Sequence, residues 1–379
     1  MEASRENRML KYNWRSSLEK ICIPIGALAV AMILFGIFCT FAGANPFGVY
    51  YSIYRAGFGS WNSFQNTLIQ ASPLILSSLC TALPARLGLV IIGNEGAIVM
   101  GGLAAAITGL ALSDLGATSL IVQLGMALGG IIIGGVWIGT VGALRHYRGV
   151  NETISSLLLN YIGIALLNHL VNGPLRDPNS LNNPSTYPIP DIHLFDRIPG
   201  TRVHYGLLFG LIACGIAYFL IQRTTFGFAT RMAGGNIRAA QIAGLPVGKL
   251  TLTICFLAGA CAGLAGMVEV AAVLGRANSS LNAGYGYSGV LVAFIARHNP
   301  IAASFVSLLL GGILASGGFL ERSHQLPDAT VMVFQGIVFL LILFSESLYG
   351  RFSFFQAPRI NLSETQSSSA TKEKFVRQQ

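Results

Sequence analysis

Long apolar runs recur from residue 21 to residue 349, and polar residues gather in the gaps between them. A helix needs about 20 apolar residues to cross the hydrocarbon core of a bilayer. Read for that length, the chain offers ten segments: 21–43, 66–85, 88–112, 119–143, 153–172, 204–222, 250–275, 284–297, 300–320 and 329–349. The eighth is too short to cross unless the preceding SSLNAGYGYSG also dips into the membrane, so the count shifts by one or two with that stretch. The pattern predicts an all-α fold, a polytopic transmembrane helical bundle of about ten spans that includes broken or re-entrant helices.

The domain layout follows from the same pattern. Residues 1–20 form a basic cytoplasmic N-terminus, 21–350 the transmembrane domain, and 351–379 a polar, Ser-rich cytoplasmic tail whose composition predicts disorder. Ala42-Gly43-Ala44 resembles a signal-peptidase site, but the apolar run before it is longer than the roughly 7 to 15 residues of a cleaved signal, so it is read as a retained helix. Five spans precede the loop 173–202 and five follow it. An odd number per half inverts the second half, so the halves, if related, form a 5+5 inverted repeat.

Composition agrees: 53% hydrophobic residues against 10% charged, and a mean hydropathy of +0.62, leave no soluble domain of ordinary size. Cys22, Cys39, Cys80, Cys214, Cys255 and Cys261 all lie in apolar runs without CxxC spacing or a neighbouring His cluster, the pattern of small buried hydrophobes. A net charge of +9 suits nucleic acid in a soluble chain, but here it is sorted by loop. With the N-terminus inside, the inner segments carry 18 Lys and Arg and the outer segments 6, which orients both termini to the cytoplasm. The longest inner loop between spans is then 223–249, basic and partly apolar, suited to lipid headgroups or to a docking protein. The outer loop 173–202 is rich in Pro and Asn with mixed charges, suited to a partner from outside.

Candidate chemistry is sparse. In GLVIIGNEGAIVMGG, residues 88–102, Glu95 is a carboxylate in an otherwise uncharged membrane stretch. Two readings stand: Asn94 caps the following helix and Glu95 favours its positive end, or the helix breaks between Gly93 and Gly96 and the pair lines a polar pathway. Glu269 either faces that pathway or sits at a helix end, snorkelling outward or paired with Arg276. In NETISSLLLNY, 151–161, Asn151 reads as an N-cap with Glu152 in the first turn. Asn160 and Tyr161 lie further in, where an amide bonds a neighbouring helix or a polar solute. NSSLNAGYGYSG, 278–289, is either re-entrant, its helix N-terminal amides aimed into the protein, or an ordinary outer loop. Glycines at 125/129, 130/134 and 135/139 favour close helix packing. GLPVGKLT misses the phosphate-loop spacing by one residue and has Leu250 where Ser or Thr should follow Lys249, and HExxH and GxSxG are absent from the sequence, so an enzyme reading has no support.

Four stretches, GLVIIGNEGAIVMGG, NETISSLLLNYIG, RTTFGFATRMAGGNIRAAQIAG and GYGYSGVLVAFIARHNP, in this order over roughly 66–300, resemble the inner-membrane permeases of bacterial ABC importers of the branched-chain amino acid and simple-sugar type, closest to the nucleoside-importer branch. The resemblance implies a permease subunit, not an enzyme, that moves a small polar solute, first a nucleoside, across the bacterial inner membrane by ATP-driven alternating access. It implies four partners besides the solute: an ABC ATPase subunit that holds ATP and Mg, a second homologous permease, an extracytoplasmic substrate-binding lipoprotein, and membrane lipid. It implies no cofactor on this chain and no nucleic acid. The segment from Arg231 to Ala243 resembles the family's coupling region, which rests in a cleft of the ATPase; Asn236, Ala239, Ala240 and Gly244 match the family's G-x-N-x-x-A-A-x-x-A-G pattern, and Arg231 and Arg238 are expected to face the ATPase. Asn94, Glu95, Asn160, Tyr161 and Glu269 are expected along the solute pathway, where they offer amide or carboxylate hydrogen bonds and a ring. Ala97 and Ile91 depart from the family's usual Gln and Asn, which bears on a purine preference. A simple-sugar or branched-chain amino acid permease is the alternative within transport, and an ion-coupled secondary transporter or channel using Glu95 and Glu269 the alternative outside it.

Overall fold

A computed structural model describes residues 25–346 except Leu181 and Asp328, so residues 1–20 and the tail 351–379 lie outside the described residues. The helices are α1 (Ile25–Phe41), α2 (Pro46–Phe58), α3 (Trp61–Ala85), α4 (Asn94–Asp114), α5 (Ser119–Arg148), α6 (Glu152–Asn172) and α7 (Gly206–Arg223). They continue with α8 (Thr225–Gly235), α9 (Ile237–Ile242), α10 (Val247–Glu269), α11 (Tyr285–Ile295), α12 (Pro300–Leu314), α13 (Gly317–His324) and α14 (Ala329–Glu346). Residues 33–339 form the principal body; in the second unit, residues 25–32 and 340–346 are the described ones, and they continue α1 and α14 as helix.

The helical class stands, but the span count is corrected. Among the described residues, seven helices are long and apolar enough to cross a membrane: α3 to α7, α10 with its π-helical extension to Leu274, and α12 taken through α13 to His324. A bent pair, α1 and α2, raises the number to eight, and α14 is a shorter apolar helix. Local chemistry explains the difference from ten. After α1, Gly43 adopts φ 81, Asn45 accepts the Phe47 amide, and Pro46 opens α2, which leaves at 113° to α1. The expected span 284–297 is the 11-residue α11, about 16 Å long and so about half the hydrocarbon thickness.

The expected span 88–112 also begins late, at Asn94. Gly88, at φ 78, turns the chain after α3, and residues 89–92 run back without helical structure along the last turns of α3. Thr81 Oγ1 donates to the Ile91 carbonyl at 3.2 Å, and Asn94 Nδ2 donates to Thr81 Oγ1 at 2.8 Å and to the Ser77 carbonyl at 3.2 Å. Ser77 lies about 12 Å along α3 from its Ala85 end. Asn94 therefore holds α3 and is not a cap: Gly93 occupies the N-cap position without a side-chain bond.

Small residues let the central helices touch. A Cβ on Gly263 of α10 would strike the backbones of Gly130 and Gly134 in α5, and Gly101 of α4 meets the same glycine. Gly129, Gly135 and Gly125 receive Thr108, Phe256 and Leu112, whereas Gly139 faces open space. Among the described cysteines, Cys39, Cys80, Cys214 and Cys255 are buried and Cys261 is half-buried, all as free thiols.

The two ends of the body differ. At one end Arg86 meets the α11–α12 turn and Arg145 pairs with Glu152 at 3.3 Å. At the other end Gln65, in the first turns of α3, accepts the Arg202 amide at 2.9 Å. There the loop after α6 is laced onto the segment after α10: Thr186 donates its amide to Ala277 at 2.9 Å, Ile189 to Gly275 at 2.9 Å and Phe195 to Ala271 at 2.8 Å.

Candidate functional site

Asn151 caps α6 as its position predicts, accepting the Thr153 and Ile154 amides at 2.9 and 3.1 Å. From that cap a stripe at i, i+3 and i+7 faces the non-helical segment before α4. Thr153 Oγ1 donates to the Val90 carbonyl at 2.8 Å, Ser156 Oγ accepts the Ile92 amide at 3.2 Å, and Asn160 Oδ1 accepts the Gly96 amide at 2.5 Å. Polar side chains of α6 thus supply what the broken backbone lacks, the condition for irregular chain inside a membrane body. Gly93 and Gly96 lie against the backbone of Ser156 and Asn160, which any Cβ would prevent.

At the head of α4, Glu95 is fully buried and turned toward the N-terminus of α11. Its Oε1 accepts the Gly284 amide at 2.7 Å and its Oε2 accepts the Gly286 amide in a shorter bond. Glu95 stands in the first turn of α4 and caps the first turn of α11, so two helix N-termini converge on one carboxylate. Gly286 is required by this approach, because a Cβ there would overlap the backbone and carboxylate of Glu95. The amides of the 278–289 segment therefore do aim into the protein, and their target is a side chain of the chain itself.

Around this cap lies a polar cluster. Asn160 Nδ2 donates to the Tyr287 hydroxyl at 2.7 Å, so one amide joins α4 to α11 through α6. Tyr285 donates its hydroxyl to Gln70 Oε1, and its carbonyl accepts from Ser77 Oγ at 3.0 Å. Ser288 Oγ donates to Gln335 Oε1 at 2.7 Å. Glu269 closes α10, is 5% exposed, and has no hydrogen-bond or ion-pair partner among the described residues. The pairing with Arg276 considered from spacing is not formed; Arg276 Nη1 instead lies 3.4 Å from Ser185 Oγ. Tyr161 is 60% exposed and turned to the outside of the body, apart from the buried amide of its neighbour Asn160.

The basic face gathers a second set. Arg86 ends α3 and donates from Nη2 to the His298 carbonyl at 2.7 Å. Burial, and then the like charge of Arg231, pulls the Arg86 guanidinium below its usual range. Arg231 donates from Nη1 to the Ile221 carbonyl at the end of α7, which braces the loop. Asn236 caps α9, accepting the Ala239 amide at 3.0 Å. Gly244 takes φ 78 where α9 ends, a conformation that favours glycine. Arg238 and Ala239 are exposed, and Ile242 is 89% exposed beside them.

Arg86, Gln70, Ser77, Ser156, Tyr285 and Tyr287 escaped the sequence reading, although Gln70 interrupts an apolar run and the two tyrosines stand in a quoted motif. Their roles arise from contacts far apart in sequence, which spacing alone does not reveal.

Comparison with known proteins extends the geometry. The profile of the family described as "Branched-chain amino acid transport system / permease component" matches residues 63–343. The glucose ABC transporter permease protein TsgB13 of Haloferax volcanii is 29% identical over 335 residues, covering 85% of this chain and 87% of that one. The guanosine ABC transporter permease protein NupP of Bacillus subtilis is 28% identical over 348 residues, covering 88% and 94%. The nucleoside ABC transporter permease protein NupB of Lactococcus lactis is 25% identical over 332 residues, covering 85% and 90%. With the family profile matched over most of its length and these relatives aligned nearly end to end, the chain belongs to the branched-chain amino acid transport system permease family of ABC transporters.

Proposed function

We propose that this permease carries a nucleoside into the cell, with both chain termini on the cytoplasmic side of a bacterial cytoplasmic membrane. ATP and Mg belong to a partner ATPase, and a second, related permease completes the pathway. An extracytoplasmic binding lipoprotein delivers the solute to the face formed by the outer loop 173–202.

The observation that carries the solute reading is the pairing of the buried Asn160 amide with Tyr287, whose own ring is exposed. A nucleoside asks for an amide or hydroxyl hydrogen bond together with an aromatic ring to stack on. Glu269, buried and without a hydrogen-bond or ion-pair partner among the described residues, supplies a further acceptor for ribose or base. Asn94 and Glu95 serve the pathway from behind, because both are spent on holding α3 and α11. The relatives named for guanosine and nucleosides favour this class. The relative named for glucose supports a second reading, a simple sugar, since a nucleoside presents a sugar to the same polar groups. The broken segment with its carboxylate leaves less to recommend an ion-coupled carrier, because both oxygens of Glu95 already hold amides.

The coupling reading rests on α9, a short helix whose exposed Arg238 and Ile242 offer a charged and an apolar contact to the ATPase. Arg238→Glu, and separately Ile242→Glu, should remove the ATPase from the detergent-extracted complex while the permease still inserts. Undiminished co-purification of the ATPase with both variants would overturn the coupling role.

A further inference from the structure

Residues 86–95 enclose α11 from end to end. At the start of this segment Arg86 holds the carbonyl of His298, just past the C-terminus of α11; at its finish Glu95 holds the amides of Gly284 and Gly286 at the N-terminus. The 11-residue helix lies between the two grips. His298 and Arg297 take φ 56 and 49, consecutive left-handed conformations on non-glycine residues, at the turn that Arg86 grips. Such conformations persist where surrounding contacts over-determine them. The segment is itself pinned by Thr153 and Ser156 of α6 at Val90 and Ile92, and Asn160 holds Gly96 just beyond its end.

The base of this bracket carries the loop assigned to coupling. Gly234 of α8 lies so close to the Arg86 carbonyl that a Cβ would collide with it, and Arg231 of the same helix stands near the Arg86 guanidinium. A displacement of α8 therefore bears on the backbone of Arg86 and Leu87.

We propose that residues 86–95 and α11 move as one rigid lever between the basic face and the polar centre, with Arg86 and Glu95 as the positioning residues that fix α11 at its two ends. Displacement of α8 tilts the lever as a unit, and Tyr287 on α11 is carried with it together with the α6 side chains Thr153, Ser156 and Asn160 that are bonded to it. That an ATPase drives the lever rests on the coupling reading above; that the lever is rigid does not.

Hydrogen–deuterium exchange on the full-length permease in nanodiscs separates the two. In Arg86→Gln, amides 284–288 should exchange at least about tenfold faster, as they should in Glu95→Gln, although Arg86 touches only the opposite end of α11. A change confined to residues 296–299 would overturn the lever. Arg86→Lys, which keeps the charge but loses the planar fork, serves if Arg86→Gln does not fold, with the same expectation and the same contrary result. Arg238→Glu should leave exchange at 284–288 unaltered, whether or not it releases the ATPase. In the assembled importer supplied with labelled guanosine, Arg86→Lys should keep the ATPase bound yet lower guanosine taken up per ATP hydrolysed. An unaltered ratio would show that the lever plays no part in transport.

Discussion

Glu95 is the residue on which the centre turns, and its chemistry sets a definite cost for removing it. Glu95→Ala leaves the Gly284 and Gly286 amides without an acceptor, about 1–3 kcal/mol each for a buried donor, while Glu95→Gln keeps one acceptor and costs less. The thermal midpoint of the purified permease should fall in that order, and an unchanged midpoint for the alanine variant would contradict the capping role. His298 gives a pH signature. Burial first, and then Arg86, holds its imidazole at about 4, below the ordinary value near 6.5 of an unfolded chain. The unfolded chain therefore binds the proton first, so this part of the stability is complete above about pH 6.5 and is lost as pH falls toward 4. Burial lowers His204 to about 4 with the same sign. Thermal midpoints of His298→Asn should fall less between pH 7 and pH 5 than those of the parent chain; an equal fall would assign the dependence elsewhere. The suspicion attached to Glu95 was legible from a lone acid among apolar residues. Its partner was not, because Gly284 and Gly286 lie 189 and 191 residues further along the chain, and nothing in a local pattern encodes which helix end meets it.

At the scale of elements, packing is decided where glycines meet. Gly263 touches Gly101, Gly130 and Gly134, so Gly263→Val should prevent close approach of α4, α5 and α10 and yield aggregated or degraded protein. Gly139→Ala, on the same α5 but facing open space, should leave the elution profile and midpoint unchanged within about 0.5 kcal/mol. A monodisperse Gly263→Val permease would refute this account of the crossing. The GxxxG spacings of α5 announced a packing face, yet Gly139, which belongs to one of those pairs, is not in it. Long helices were readable because apolar length reports them directly. The segment 86–93 was not, since LGLVII is as apolar as a helix and its extended course depends on Thr81, Ser156 and Thr153 satisfying its backbone.

Over the principal body, Arg86, Arg231 and the Arg145–Glu152 pair stand at the opposite end of α3 from Arg202 and the laced loop after α6. The number of spans was not legible in the sequence, because a half-length helix and a bent pair carry the same hydropathy as true crossings. The family match extends over residues 63–343, and four ordered motifs within most of that span already carry the resemblance. What the molecule moves is tested most directly by uptake of radiolabelled guanosine into proteoliposomes holding the permease pair, the ATPase and the binding lipoprotein. The account predicts accumulation that requires ATP, survives a protonophore, and is displaced by excess unlabelled guanosine but not by glucose or leucine. Uptake that continues without the ATPase and collapses with the proton gradient would contradict it.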